Sequence, residues 1–220
     1  MKRSEINALQ KDALAFFKEH YFNLPVWATW GPEDWKRVGA DSFEIKKRSL
    51  GWDVTDFGKG NFLKEGLVLF TLRNGLVDGS AEPYCEKVMI SRVGQVLPTH
   101  FHWSKIEDII NRAGGRLNVR LWNLDEQEGL DTSPVKARID GIWKSLPSGT
   151  EILLEPGESI TIFPGIYHLL GAKEQDVLIG EVSGVNDDTK DNRFLQPVSR
   201  FASIEEDEPI LYYLCNEYPK

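Results

Sequence analysis

The chain has 220 residues, 41% of them hydrophobic and 27% charged, a length that one hydrophobic core can still serve. Lys and Arg number 26 against 34 Asp and Glu, and a net charge of −8 with no basic run argues against nucleic acid or an anionic membrane as partner. Only Cys85 and Cys215 are present, which excludes a disulfide scaffold and a cysteine metal site, and no apolar run nears the roughly 18 residues of a spanning helix.

Residues 4–21 place Ile6, Leu9, Ala13, Phe16, Phe17 and Tyr21 at helical spacing, which predicts one amphipathic helix capped by Ser4. The preceding Met1-Lys2-Arg3-Ser4-Glu5 holds no apolar leader, so a cytoplasmic location is expected. Residues 22–60, with Trp27, Trp30, Trp35 and Trp52, read as irregular aromatic-pinned structure or one more short helix around Pro32–Arg37. From Lys64 the texture changes to short apolar runs: 67–72, 86–92, 117–122, 135–139, 151–154, 159–163 and 177–182. Gly, Pro, Asn and Asp separate them at intervals of about ten residues, the signal of an antiparallel sandwich or barrel. Leu117, Val119 and Leu121 alternate with Asn118, Arg120 and Trp122, as half-buried strands do. The tail, residues 204–220, is acidic and then aromatic and is expected to pack as an extension. One domain over 1–220 is expected, with a helical or irregular extension (1–60), a β-barrel (61–200) and a C-terminal extension (201–220).

Three of the four histidines fall in the β region. His100 and His102 are two apart, so on a strand both imidazoles project from one face. Glu107 follows five residues later, where a short loop could return its carboxylate to the same point, and His168 lies just past the turn Pro164-Gly165. Three neutral imidazoles and one carboxylate leave two positions open on an octahedral ion and suit Mn(II), Fe(II), Co(II), Ni(II) or Zn(II) better than Ca(II) or Mg(II). A lone H-x-H pair is more often two surface or packing histidines than a metal site. Here, however, Gly94-x5-His100-x-His102-x4-Glu107-x6-Gly114 resembles the first cupin motif at every fixed position. Gly157-x10-His168 with Gly165 is similar to the second, although Phe163 stands at its usual proline and Ala172 at its frequent asparagine. The fold this implies is mainly β, a cupin (jelly-roll) barrel with an N-terminal helical extension. His20 is read as a helix-end residue with no role.

Longer polar strings resemble the bacterial D-lyxose isomerases: residues 100–112, Gly180-Glu-Val-Ser183, Asn186-Asp-Asp188, Asp191-Asn-Arg-Phe194, residues 204–209 and Leu214-Cys-Asn-Glu-Tyr-Pro219. With the strands between, they cover most of residues 85–219. The resemblance implies a manganese-dependent aldose–ketose isomerase, with Co(II) as an alternative metal, interconverting D-lyxose and D-xylulose and often D-mannose and D-fructose. It also implies a homodimer. By the same resemblance His100, His102, Glu107 and His168 would be metal ligands, and Lys105 matches an active-site lysine.

Such chemistry moves a proton between C1 and C2 through a cis-enediolate and needs a base near carbon, a charge stabiliser at the two oxygens and a partner for the hydroxyl proton. Glu181 is the expected base. If residues 169–180 form a hairpin turning at Lys173–Asp176, His168 and Glu181 oppose each other and share a face; a one-residue slip would send Glu181 to solvent. Lys105 could donate to the sugar oxygens, or stand as a solvated loop lysine. In the loop after that strand, Asp191 and Arg193 could bind sugar hydroxyls, while Asp187 and Asp188 read more readily as a solvated turn. Trp103 could stack on the sugar or belong to the core. No glycine-rich cradle or basic cluster accompanies the site, which favours a free sugar over a sugar phosphate. Two other readings share the ligand set: an Fe(II) cupin dioxygenase and a metal cupin that binds sugar without turnover.

Overall fold

In the computed structural model, which describes residues 1–188 and 190–219, helix α1 runs Arg3–Glu19. Lys220, the end of the expected tail, lies outside the described residues. The cap position is Lys2, because Ser4 is used elsewhere: its amide and hydroxyl donate to the two oxygens of Asp207, at 2.8 and 2.7 Å. Ile6, Ala13 and Phe17 form the buried stripe of the helix. Fully buried Arg3 joins Glu206 (2.7 Å) and Glu217 (2.5 Å), so the acidic tail is fastened along α1.

The tryptophan-rich stretch yields α2 (Pro32–Val38), α3 (Phe43–Lys47) and then strand β1 (Gly51–Thr55). Strand structure before residue 61 departs from the expected boundary. All five β1 residues are buried, so no polar alternation marks it. Trp52 anchors it: the indole N–H donates to the Ala28 carbonyl at 2.7 Å, and the ring meets Phe70 edge-on at 5.1 Å.

The remaining strands are β2 (Leu67–Asn74), β3 (Cys85–Ser91), β4 (Val96–His102), β5 (Glu107–Leu124), β6 (Leu130–Asp131), β7 (Val135–Ile139), β8 (Ile142–Leu146), β9 (Ile152–Leu154), β10 (Ser159–Ile162), β11 (Ile166–Ser183) and β12 (Asn192–Phe194). One layer runs in the order β1-β2-β3-β11-β5-β10-β7-β8; β4 joins β11 and carries β12 on its other edge, and β6 and β9 join β5. Strands β5 and β11 are long enough to serve both layers. The start of β5 and the end of β11 lie between β10 and β3, while their other halves lie between β9 and β4. The result is the mainly β, cupin-type barrel expected from the sequence.

Alternation sorts side chains between two cores. Leu67, Leu69, Met89 and Ile179 point into the barrel, while Val68, Phe70, Val88, Ile90 and Leu178 pack outward against α1 and Trp52. Lys87 shares this inward phase with Met89, and Glu181 with Ile179.

The hairpin expected between His168 and Glu181 does not form; both lie on the single strand β11. His168 pairs with Leu121 and Glu181 with Ile109, so thirteen residue steps on β11 span twelve on β5. An odd number of steps on a regular strand would turn the two side chains to opposite faces. Register shifts between Lys173 and Val177 and between Leu178 and Ile179 add one net residue, and this bulge restores the phase. Gly114 makes the crossing possible, with φ 93°, and a Cβ there would lie 2.0 Å from the Asp176 carbonyl oxygen. Gly114→Ala is therefore expected to lower stability by at least about 2 kcal/mol. It should also cut activity, because the register that aims Glu181 inward depends on the bulge. Urea midpoints and turnover of the folded variant check both, and an unchanged variant would contradict this account of the strand.

Candidate active site

Strand β4 presents His100 and His102 on its inward face, β11 presents His168, and the short loop 103–106 returns Glu107, the first residue of β5, to the same point. All four are buried. One ring nitrogen from each of the three histidines lies within 4.8 Å of the other two, so the three could hold a metal ion. His168 Nε2 sits 3.1 Å from His100 Nε2 and 3.0 Å from Glu107 Oε1, and His102 Nε2 sits 3.3 Å from Glu107 Oε2. The Nδ1 atoms of His100 and His168 approach the carbonyl oxygens of Pro98 (2.8 Å) and Ile166 (3.2 Å), which can only accept, so Nδ1 carries the proton there. In a neutral ring Nε2 is then a lone pair, here aimed at another ring nitrogen or at a carboxylate oxygen.

Such an arrangement repels itself unless a cation lies among the donors. Neighbouring ligands at 2.0–2.2 Å from a metal stand about 3 Å apart when they subtend a right angle, which is the spacing of these atoms. Glu107 Oε1 is buried and has no hydrogen-bond partner among the described residues, as suits an oxygen that ligates a metal. The donor set fits a divalent metal. Burial, with His168 and His102 alongside, holds His100 well below the usual imidazole range and keeps it neutral. Burial would raise Glu107, but Lys105, His102 and His168 outweigh it and hold the group well below the carboxylate range.

Glu181 lies beside this cluster. Its Oε1 receives Lys105 Nζ at 2.9 Å, Lys87 Nζ at 3.1 Å and the Ser183 hydroxyl at 3.0 Å. Lys105 also reaches Glu107 Oε2 at 3.1 Å, so it bridges the two carboxylates and is buried rather than solvated. Burial alone would raise Glu181, but Lys105 and Lys87 outweigh it and hold the group at about 2. It is thus fully ionised and, with both lysines engaged, a restrained base.

Lys87 escapes sequence reasoning because β3 is buried on both faces, and no polar alternation marks which way a lysine points. Arg200, on the segment after β12, also went unseen: its guanidinium binds Asp188 Oδ1 (3.0 Å) and buried Asp53 Oδ2 (2.6 Å). Asp188 is therefore no solvated turn; with Asn186, Asn192, Phe194 and Arg200 it lines the cavity that also holds the histidines, Lys87, Lys105 and Glu181.

Three expected sugar ligands stand elsewhere. The half-exposed side chain of Arg193 pairs with Glu128 at 2.7 Å. Trp103 turns outward, 49% exposed, with its ring against Phe101 at 4.6 Å and its flank on a neighbouring surface groove. Trp103 follows the last residue of β4, where the chain leaves the strand, and its side chain turns to the face opposite that of His102. Asp191 points at His102 and Ser104 instead of the cavity. Asp187 borders the outer groove.

A family profile described as D-lyxose isomerase matches residues 1–218. The chain belongs to the D-lyxose isomerase family. A D-lyxose/D-mannose isomerase of Escherichia coli O157:H7 is 48% identical over 223 aligned residues, covering 99% of this chain and 98% of that protein. One from Serratia proteamaculans is 47% identical with the same coverage. Among solved structures, the L-ribose isomerase of Geodermatophilus obscurus superposes with a TM-score of 0.62 over 93% of this chain and 98% of its own, at 15% identity, which is a likeness of fold.

For this member of the D-lyxose isomerase family the buried charges set an acid limit. Glu181 and Asp188 each stand at about 2, against ordinary values of 4.5 and 3.8. Folded values below unfolded ones give stability that is present above the unfolded values and lost as pH falls through the folded ones. Stability is expected to drop between about pH 4.5 and pH 2, by roughly 3 kcal/mol from Glu181 alone. Urea unfolding at a series of pH values measures this; a flat profile across that window would contradict the charge assignments.

Proposed function

We propose that the chain is a metal-dependent aldose–ketose isomerase that interconverts D-lyxose with D-xylulose and, more slowly, D-mannose with D-fructose. One observation carries the reading: an ionised carboxylate, Glu181, shares a cavity with three converging imidazoles, and Lys105 bridges it to the carboxylate among them. Family membership and the names of the curated relatives support the same substrates. His100, His102, Glu107 and His168 would hold the ion, Mn(II) or alternatively Co(II). A divalent cation there supplies Lewis-acid stabilisation of negative charge on the two oxygens between which the carbonyl migrates.

The chain's own residues then move the proton. Glu181 takes it from C2 and returns it to C1. Two lysines on Oε1 weaken that base, so a sugar hydroxyl that displaces Lys105 from it raises its basicity where the carbon acid arrives. The freed Lys105 ammonium gives a proton to O1 and takes the one that leaves O2, so the hydroxyl proton moves between the oxygens while the carbon proton travels on Glu181. Asp188 and Asn186 accept or donate toward hydroxyls farther along the chain, and Arg200 donates. Phe57, Leu69, Met89 and Phe194 line the same cavity and can meet the sugar's C–H groups, while the hydroxyl partners Asn186, Asp188, Asn192 and Arg200 favour a polyol over a wholly apolar dioxygenase substrate. A homodimer in the cytoplasm completes the proposal, resting on the family resemblance and on an acidic chain with two unpaired cysteines.

Ketose formation from D-lyxose, D-mannose, D-xylose and D-ribose, by metal-stripped protein with and without Mn(II), tests the assignment. Mn(II)-dependent turnover with D-lyxose fastest is expected. No turnover of any aldose with metal bound would overturn it.

A further inference from the structure

Each of the three histidines has an outer partner, and one differs in kind. His100 and His168 donate Nδ1–H to neutral backbone carbonyls, of Pro98 and Ile166. His102 Nδ1 faces Asp191 Oδ2 at 3.4 Å, and neither atom has another hydrogen-bond partner among the described residues. Both residues are buried. The other Asp191 oxygen is pinned by the Ser104 amide (2.8 Å) and hydroxyl (2.6 Å), and its backbone carbonyl accepts the Trp103 amide at 3.0 Å. The carboxylate is thus held by the two residues that follow His102 and aimed at that ring, two bonds' reach behind the donor atom that faces Glu107.

We propose that Asp191 is a positioning residue of the metal centre: its charge fixes the His102 tautomer with the proton on Nδ1, aims Nε2 inward and strengthens it as a donor. A carboxylate behind a ligating imidazole does this more strongly than a carbonyl, because the negative charge stabilises the partial positive charge that the ring acquires on coordination. The consequence reaches further than one ligand. Asp191 belongs to the segment between β11 and β12, which also carries Asn186 and Asp188 on the cavity wall and leads into Asn192, the first residue of β12. The strap that meets the sugar therefore also braces the metal, and the two sites are joined through one aspartate.

The inference rests on the metal reading given above, and Asp191→Asn separates them. The amide keeps an oxygen for Ser104, so the strap anchor persists, while the charge behind His102 is lost. Calorimetric titration of metal-stripped protein with Mn(II), without sugar, is expected to show affinity reduced by about 10- to 100-fold. The Mn(II) electron paramagnetic resonance spectrum of the loaded variant should change as well. Asp191→Ala, which also releases the strap, should bind no better than the asparagine variant. If Asp191→Asn binds Mn(II) within about threefold of the unaltered protein with the same spectrum, Asp191 is a strap anchor only and the inference falls. If the unaltered protein itself binds no Mn(II), the metal reading falls with it.

Discussion

Glu181→Gln is expected to lower turnover of D-lyxose by roughly a thousandfold or more while leaving Mn(II) affinity within a few fold of the unaltered protein. The amide has the shape of the carboxylate but cannot take a proton from carbon. It stands beside the metal cluster without being one of the close donors, since its contacts run to Lys105, Lys87 and Ser183. The substitution also leaves two buried ammonium groups with less compensating charge. Lys105 keeps Glu107 at 3.1 Å and Lys87 keeps Asn186 Oδ1 at 2.7 Å, so the fold should hold at a cost of about 3 kcal/mol. Turnover within tenfold of the unaltered protein would remove Glu181 from the chemistry and leave it a structural counter-charge for the lysines.

His168→Ala is expected to lose both activity and metal. Its Nε2 supplies the two shortest approaches in the cluster, to His100 and to Glu107. Removing it leaves too few donors converging on one point, and Mn(II) affinity measured by calorimetry should fall by more than the hundredfold typical of outer-partner losses. Together the two substitutions divide the site: one abolishes proton transfer with the metal retained, the other abolishes the metal. Tight Mn(II) binding by the His168 variant would place the ion elsewhere in the protein.

The parts of this site that could be read in the sequence are those fixed by short spacing. Two histidines two apart on a strand must share a face, and the glycine and histidine spacing of two motifs located Glu107 and His168. The short apolar runs between turn residues likewise gave most of the barrel. Strand β1 stayed hidden because burial on both sides erases alternation, and Lys87 on β3 for the same reason. Glu181 was reached through a hairpin that does not exist; its inward aim comes from a net one-residue bulge opposite Gly114, and a bulge leaves no mark in a hydrophobic pattern. Arg200 and Asp53 are 147 positions apart in the chain and meet only through tertiary packing. Arg193 and Asp191 sat in the right segment, yet composition cannot say which side of a strap faces the cavity.

The most direct test of proton transfer by this site is the isomerisation of D-lyxose in D2O by the Mn(II)-loaded protein, followed by proton and deuterium nuclear magnetic resonance. The account predicts D-xylulose carrying solvent deuterium at C1, because Glu181 exchanges its proton with the medium during some fraction of turnovers. D-xylulose formed with the hydrogen of C2 carried wholly to C1 and no deuterium gained, or D-lyxose recovered unreacted, would contradict it.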